Sequence, residues 1–297
     1  MRVLIAVDGS QPAVDAVRLA GALLDPTVDV VALYYSPRDL EQRVPEASRS
    51  IIGGAAAAVF EDARAALPDD VASRAELLQN DVAAAVGILT SATDWQADLV
   101  VLGARGHGSL QNMLLGSVSR AVVHGAHLPV LVARSGPPAG RLLKVLACHH
   151  PASAAAVAKA LGHVHWPAGT EGRVIGVAES LLAGPLPSWL EKRVRDPDTA
   201  AVAKAWQQEH DDEVTEMGAR LAAFAATLPA AFRSAPPIVA QGNPGERIMA
   251  TAKNEAADVI VVGRTPTDPF SRWLLGSTSE AVLSHAAASV MIVPVEK

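Results

Sequence analysis

Ala97-Asp98-Leu99-Val100-Val101-Leu102-Gly103 reappears as Ala257-Asp258-Val259-Ile260-Val261-Val262-Gly263, at an offset of 160 residues (257 minus 97). Leu114-Leu115-Gly116-Ser117-Val118-Ser119 and Leu274-Leu275-Gly276-Ser277-Thr278-Ser279 stand at the same offset of 160. The register continues through Ala121-Val122 and Ala281-Val282, and ends on Val130-Leu131-Val132 and Val290-Met291-Ile292-Val293. A repeat of this length is read before any motif, because it sets the architecture. The openings match less closely: Arg2-Val3-Leu4-Ile5-Ala6-Val7 is laid against Leu143-Lys144-Val145-Leu146-Ala147-Cys148 at an offset of 141 (143 minus 2). The second copy is then about 19 residues longer in its middle (160 minus 141), and the excess is placed in 179–212, where Pro185, Pro187 and Pro197 interrupt the pattern. Ser135-Gly136-Pro137-Pro138-Ala139-Gly140 has the composition of a linker. The domain expectation is therefore 1–134, a linker at 135–140, and 141–297.

Outward from the quoted strand, short Val/Ile/Leu runs alternate with helical stretches. Strands are predicted at 3–7, 28–35, 74–79, 98–103 and 129–133, and helices at 12–24, 45–66, 81–95 and 117–126. The second copy predicts strands at 143–148, 173–178, 237–241, 258–263 and 290–294, with a helix running to about 227. Apolar runs with little polar alternation suit strands covered on both faces. Strict strand–helix alternation predicts an α/β fold: two tandem doubly wound domains, each a five-stranded parallel sheet in the order 3-2-1-4-5 with helices on both faces. The strands 129–133 and 290–294 are apolar edges that can pair across chains or with one another.

Bulk composition bounds the function classes. The 297 residues carry a net charge of −6, which argues against broad nucleic-acid binding. No apolar run reaches the ~18 residues of a membrane span, and no charged-then-apolar leader precedes Val3. One cysteine, Cys148, excludes an internal disulfide framework, and a cytoplasmic location is expected.

The chemistry concentrates after the fourth strand. Gly103 is followed by Gly106 after two residues, and by Gly116-Ser117 after nine more. Glycine at a strand end lets a ligand approach without a Cβ in the way. Gly116-Ser117-Val118-Ser119 opens a helix whose free N–H groups suit phosphate oxygens. The first strand ends in Asp8-Gly9-Ser10, with Pro12 in the following first turn. In the order 3-2-1-4-5, strands one and four are neighbours at the switch point where open α/β sheets bind ligands. Asp8 and the Gly103 loop would meet there.

With these residues in place, the sequence resembles the universal stress protein family in its tandem-domain form. The resemblance rests on Val7-Asp8-Gly9-Ser10, on Asp98 to Gly103, and on the spacing Gly103-x2-Gly106-x9-Gly116-Ser117, which is similar to that family's ATP-binding signature. It implies ATP, with Mg²⁺, held between strands one and four, and a homodimer formed through edge strands. Asp8 would lie near the nucleoside or the ion, and Gly103, Gly106, Gly116, Ser117 and Ser119 would line the phosphates. Ala6, Leu102 and Val118 flank these positions, Arg105 is open to either a phosphate contact or solvent, and Tyr35 would border the base. No metal site and no catalytic residue are assigned.

The second copy departs from the pattern. Pro266 stands in the place of Gly106, and His149-His150-Pro151 is read against Asp8-Gly9-Ser10. Proline removes a backbone donor, so the second half is expected to bind nucleotide weakly or not at all. Asp8 can alternatively be read as a helix cap, Cys148 and His149 as strand neighbours facing opposite ways, and His163, His165 and Trp166 as a solvated turn. The run Glu209 to Glu213 reads as a solvated face. Phosphoryl transfer needs a cationic clamp, yet residues 1–143 contain no lysine and no G-x-x-x-x-G-K-[ST] loop occurs. ATP binding with little or no turnover is the expected function; a slow ATPase, or a scaffold with a vestigial motif, are the alternatives.

Overall fold

The computed structural model describes residues 1–38, 55–106, 115–178, 197–264 and 275–295. The first half contains β1 (Arg2–Ala6), α1 (Gln11–Ala22), β2 (Val30–Tyr35), α2 (Ala56–Ala65), α3 (Asp69–Ala72), β3 (Glu76–Gln79), α4 (Ala84–Asp94), β4 (Leu99–Gly103), α5 (Ser117–Gly125) and β5 (Val130–Ala133). The second half contains β6 (Lys144–His149), α6 (Ala154–His163), β7 (Glu171–Ala178), α7 (Pro197–Thr227), β8 (Ile238–Gln241), α8 (Pro244–Asn254), β9 (Val259–Arg264), α9 (Ser277–His285) and β10 (Ser289–Pro294). Of the helix expected at 45–66, residues 45–54 lie outside the described residues and the rest is α2. Pro197 is the first described residue of α7, and Pro185 and Pro187 lie outside the described residues. The short α3 was not foreseen.

The ten strands among the described residues form one sheet in the order β3-β2-β1-β4-β5-β10-β9-β6-β7-β8. Neighbours within each half are parallel, and the halves join through β5 and β10, which are antiparallel. The two apolar edges pair with one another inside the chain. At the seam Met291 faces Leu131, a separation of 160 residues (291 minus 131), so each residue of that pair faces its own counterpart. A pseudo-twofold axis therefore passes through this pair.

Sheet register corrects the alignment of the openings. The backbone N–H of Arg2 donates to Asp98 Oδ2 at 2.6 Å, and that of Lys144 donates to Asp258 Oδ2 at 2.9 Å. Since Asp98 and Asp258 are equivalent, Lys144 matches Arg2 and the offset is 142 (144 minus 2), one residue from the sequence alignment. Arg2 pairs with Val30 and Lys144 with Glu171, an offset of 141 (171 minus 30) at the second strand. By the third strand the offset is 160: Tyr34 pairs with Leu78, its equivalent Ile175 with Ile238, and 238 minus 78 is 160. The 19 extra residues (160 minus 141) thus fall between β7 and β8, the interval that holds the 31-residue α7.

Successive strand residues face opposite sides of the sheet, and the core divides accordingly. Val3, Ile5, Val145 and Ala147 face α1, α2, α6 and α7, while Leu4, Val100, Leu146 and Ile260 face α4, α5, α8 and α9. Both layers run unbroken across the seam. Leu131 and Met291 are fully buried there, whereas Leu77 on the outer strand β3 is 45% exposed. Leu131→Ala is expected to cost about 2–5 kcal/mol and Leu77→Ala less than about 0.5 kcal/mol. Urea denaturation of the two variants beside the parent checks this; equal losses would remove the seam from the core.

Candidate functional site

The carboxyl ends of β1 and β4 lie side by side, with Ala6 paired to Leu102. Beyond them the chain turns into α1 on one strand and into the Gly103 loop on the other. Ser10 is the N-cap of α1, accepting from the Ala13 N–H at 3.4 Å. The cap reading of Asp8 is thereby corrected: one of its oxygens, Oδ1, instead accepts the Ser10 N–H at 3.0 Å and the Ser10 hydroxyl at 2.5 Å. Asp8 orients the cap and presents its other oxygen toward Gly106, where an added Cβ would fall 2.3 Å from Oδ2. Residues 98 positions apart (106 minus 8) are thus in contact because strands one and four are neighbours.

The glycines have different tasks. A Cβ on Gly103 would lie 2.8 Å from both the Pro12 carbonyl carbon and its oxygen, so this glycine admits the first turn of α1 against β4. The Gly116 N–H donates to Ala104 O at 2.7 Å and closes the loop. Gly116 is the N-cap of α5 and offers no side chain to its first N–H groups. Such an end carries a partial positive charge and donors that point outward along the helix axis. Ser117 is exposed at this end and Val118 is half-buried. Ser119 is 3% exposed, and its hydroxyl donates to Gly103 O at 2.8 Å. It braces α5 against β4, so any ligand contact would use its remaining lone pair. Arg105 is exposed.

Tyr35 requires a correction. It is 2% exposed, and its ring meets Phe60 edge-on at 6.1 Å, which places it in the layer between β2 and α2 and not on an open pocket wall. The strand register sets this: Tyr35 has the same parity as Leu33 and Val31, which face α1 and α2. His107 and Gly108 lie outside the described residues.

At the equivalent place in the second half, His150 takes the position of Asp8 under the corrected register. Its Nδ1 accepts the Ala152 N–H at 3.3 Å, as Asp8 accepts from Ser10. The local turn is kept while the carboxylate is lost. His149 falls on the opposite face from Cys148 and meets Phe224 edge-on at 5.0 Å. Burial, and then His150 and Arg220, push the His149 imidazolium below its ordinary pKa. Burial raises the Cys148 thiol far above its usual range, which makes it inert. Among the described residues no three His, Cys, Asp or Glu side chains converge on a metal position. His163 and His165 are exposed as expected, but Trp166 packs on Phe232 at 5.4 Å and donates to Leu161 O, so it belongs to the core edge. Pro266 lies outside the described residues. No helix among the described residues is long and apolar enough to cross a membrane.

Two arginines were missed in the sequence reading. Arg264, which replaces Ala104 (264 minus 160), is 8% exposed and donates to Val123 O at 3.2 Å and His124 O at 3.1 Å. Arg134 donates to Ala288 O at 3.1 Å and to Leu283 O. Each arginine crosses the seam and holds carbonyls at or just beyond the carboxyl end of the other half's last helix. For Arg264 the available signal was a cation placed directly after a strand glycine, where the first half has alanine; Arg134 follows Ala133 and carries no such signal.

The sequence matches the Universal stress protein family over residues 1–134 and 191–294. The chain belongs to the universal stress protein family. The second matched segment begins after β6 and β7, so the divergent His149-His150-Pro151 lies outside it. A universal stress protein of Mycolicibacterium smegmatis is 30% identical over 203 residues, 66% of this chain and 62% of that protein. A universal stress protein of Mycobacterium tuberculosis is 63% identical over 38 residues, and the match spans only 13% of either chain. Among solved structures, a universal stress protein from Archaeoglobus fulgidus superposes with a TM-score of 0.62 at 18% identity, covering 100% of this chain and 97% of that one. The two-domain universal stress protein fold is therefore common to both.

The contacts at the two glycines separate their roles. Gly103→Ala forces backbone against backbone and is expected to destabilise by about 1–3 kcal/mol. A Cβ on Gly116 would be 3.4 Å from Ala104 O, an ordinary approach, so Gly116→Ala should cost under about 1 kcal/mol. Thermal unfolding of both variants decides it; a larger loss at Gly116 would contradict the geometry.

Proposed function

We propose that the first half of this universal stress protein holds ATP at the carboxyl ends of β1 and β4, with little or no turnover, as part of a stress-response role. The observation that carries the reading is the meeting of Asp8 with Gly106 beside the uncapped start of α5. The residues fit the ligand. The triphosphate would rest on the N–H groups of Gly116, Ser117 and Val118 and on the Ser117 hydroxyl, with Ser119 beneath. Arg105 is exposed at the loop and can reach a phosphate oxygen. Mg²⁺ commonly keeps one or two carboxylates together with phosphate oxygens and water, and Asp8 supplies one carboxylate. Ala6, Leu102, Gly103 and Gly106 would then bound the site from the strand ends, while Tyr35 would act only from behind, through packing.

Little turnover follows from what surrounds the phosphates. Residues 1–143 have no lysine, and an exposed arginine is a weak clamp in water. The second half, with His150 in place of Asp8 and Arg264 in place of Ala104, is read as a partner that completes the assembly and does not bind ATP itself. The dimer that the family resemblance implies is met within one chain by β5 and β10; a dimer of whole chains would need another surface. Bound ATP then acts by linkage, stabilising the state that holds it by about 2.7 kcal/mol when present at 100 times its Kd.

Nucleotide content tests the reading. The purified chain is denatured and the released ATP, ADP and AMP are quantified, with a Gly116→Ala/Ser117→Ala variant in parallel. Close to one ATP per chain, lost in the variant, is expected. Mostly ADP would favour a slow ATPase, and no uptake even with added ATP and Mg²⁺ would favour a scaffold.

A further inference from the structure

Helix α5 has its amino end at the proposed phosphate position and its carboxyl end in the grip of the other half. The nine-residue helix spans only about 14 Å at ~1.5 Å per residue. Its last carbonyls would otherwise lack intrahelical partners. Arg264 supplies donors to two of them, Val123 O and His124 O, and is itself almost fully buried. A cation at this end also complements the helix dipole. At the middle of the same helix Arg120 pairs with Glu280 and donates to Ser284 Oγ at 3.2 Å, while His124 Nε2 stands 3.3 Å from Glu280 Oε2. Every one of these contacts comes from the second half.

We propose that Arg264 is a positioning residue for the first half's phosphate site: by holding the carboxyl end of α5, it fixes the helix start that meets the phosphates, so the second half sets the first half's affinity for ATP. This rests on the ATP reading above and adds to it a regulatory role for the half with the degenerate motif. The same position that holds Ala104 in the first half holds, in the second, the arginine that reaches across to α5. A nine-residue helix transmits a shift at one end to the other because it moves as a rigid element. Adenosine, which carries no phosphate, does not depend on the start of α5, and this separates positioning from general loosening of the fold.

Calorimetric titrations of the full chain with ATP and with adenosine test the proposal, using the parent, Arg264→Met and Arg264→Lys, each checked for folding by thermal melting. Arg264→Met is expected to weaken ATP about tenfold and adenosine less than about twofold, with Arg264→Lys between parent and Arg264→Met for ATP. Equal weakening of both ligands, or unchanged ATP affinity in a folded Arg264→Met chain, would overturn it. If Arg264→Met does not fold, the lysine variant decides: a loss confined to ATP supports positioning, and parent-like ATP affinity contradicts it. A parent chain that takes up no ATP fails the nucleotide reading itself, before any variant is considered.

Discussion

The antiparallel contact of β5 with β10 is the constraint on which the rest of the molecule depends. Each half ends on a short apolar strand, and an open apolar edge invites pairing with any available partner. Joining the two edges inside one chain closes both. It also merges each pair of core layers across the seam, with Leu131 and Met291 fully buried at the axis. The pseudo-twofold then brings equivalent surfaces face to face, α5 against α9 among them.

At such an axis a residue meets its own equivalent, so identical halves would place like charges together. Positions 120 and 280 are equivalent (280 minus 120 is 160), and they hold an arginine and a glutamate that pair. Two copies of the first half would set Arg120 against Arg120, and two of the second would set Glu280 against Glu280. The pair therefore favours joining unlike halves, although an exposed ion pair contributes only about 0–1 kcal/mol to stability. Arg264 and Arg134 extend the asymmetry. They sit at non-equivalent positions, on β9 and just after β5, yet each reaches the end of the opposite half's last helix. In the second half the position equivalent to Ala104 is a tether, while the shared frame is the same in both halves.

Much of this was legible in the residues. The strands emerged because buried parallel strands must be apolar on both faces, and the 160-residue offset located the repeat without any structure. The meeting of Asp8 with the Gly103 loop followed from topology, because ligand sites lie where neighbouring strand ends diverge. What stayed hidden depends on side-chain direction and on register. The openings of the two halves differ enough that a one-residue shift could not be resolved, and only the Asp98 and Asp258 contacts to the backbone of Arg2 and Lys144 set it. That shift exchanged His149 for His150 at the Asp8 position. Tyr35 looked like a pocket residue because of its place at the carboxyl end of β2, but strand parity turns it into the core. Arg264 and Arg134 act on carbonyls more than 100 residues away, a contact that no local pattern encodes.

The central claim is that two halves sharing one fold divide into a half that holds nucleotide and a half that supports it. Amide hydrogen exchange with and without ATP tests this most directly, since protection reports where binding slows opening. Added protection at the turn after Asp8, at the end of β4 and at the start of α5, with none at the turn after His150 or at the start of α9, is the predicted result. Equal protection at the matching positions of both halves would contradict the division.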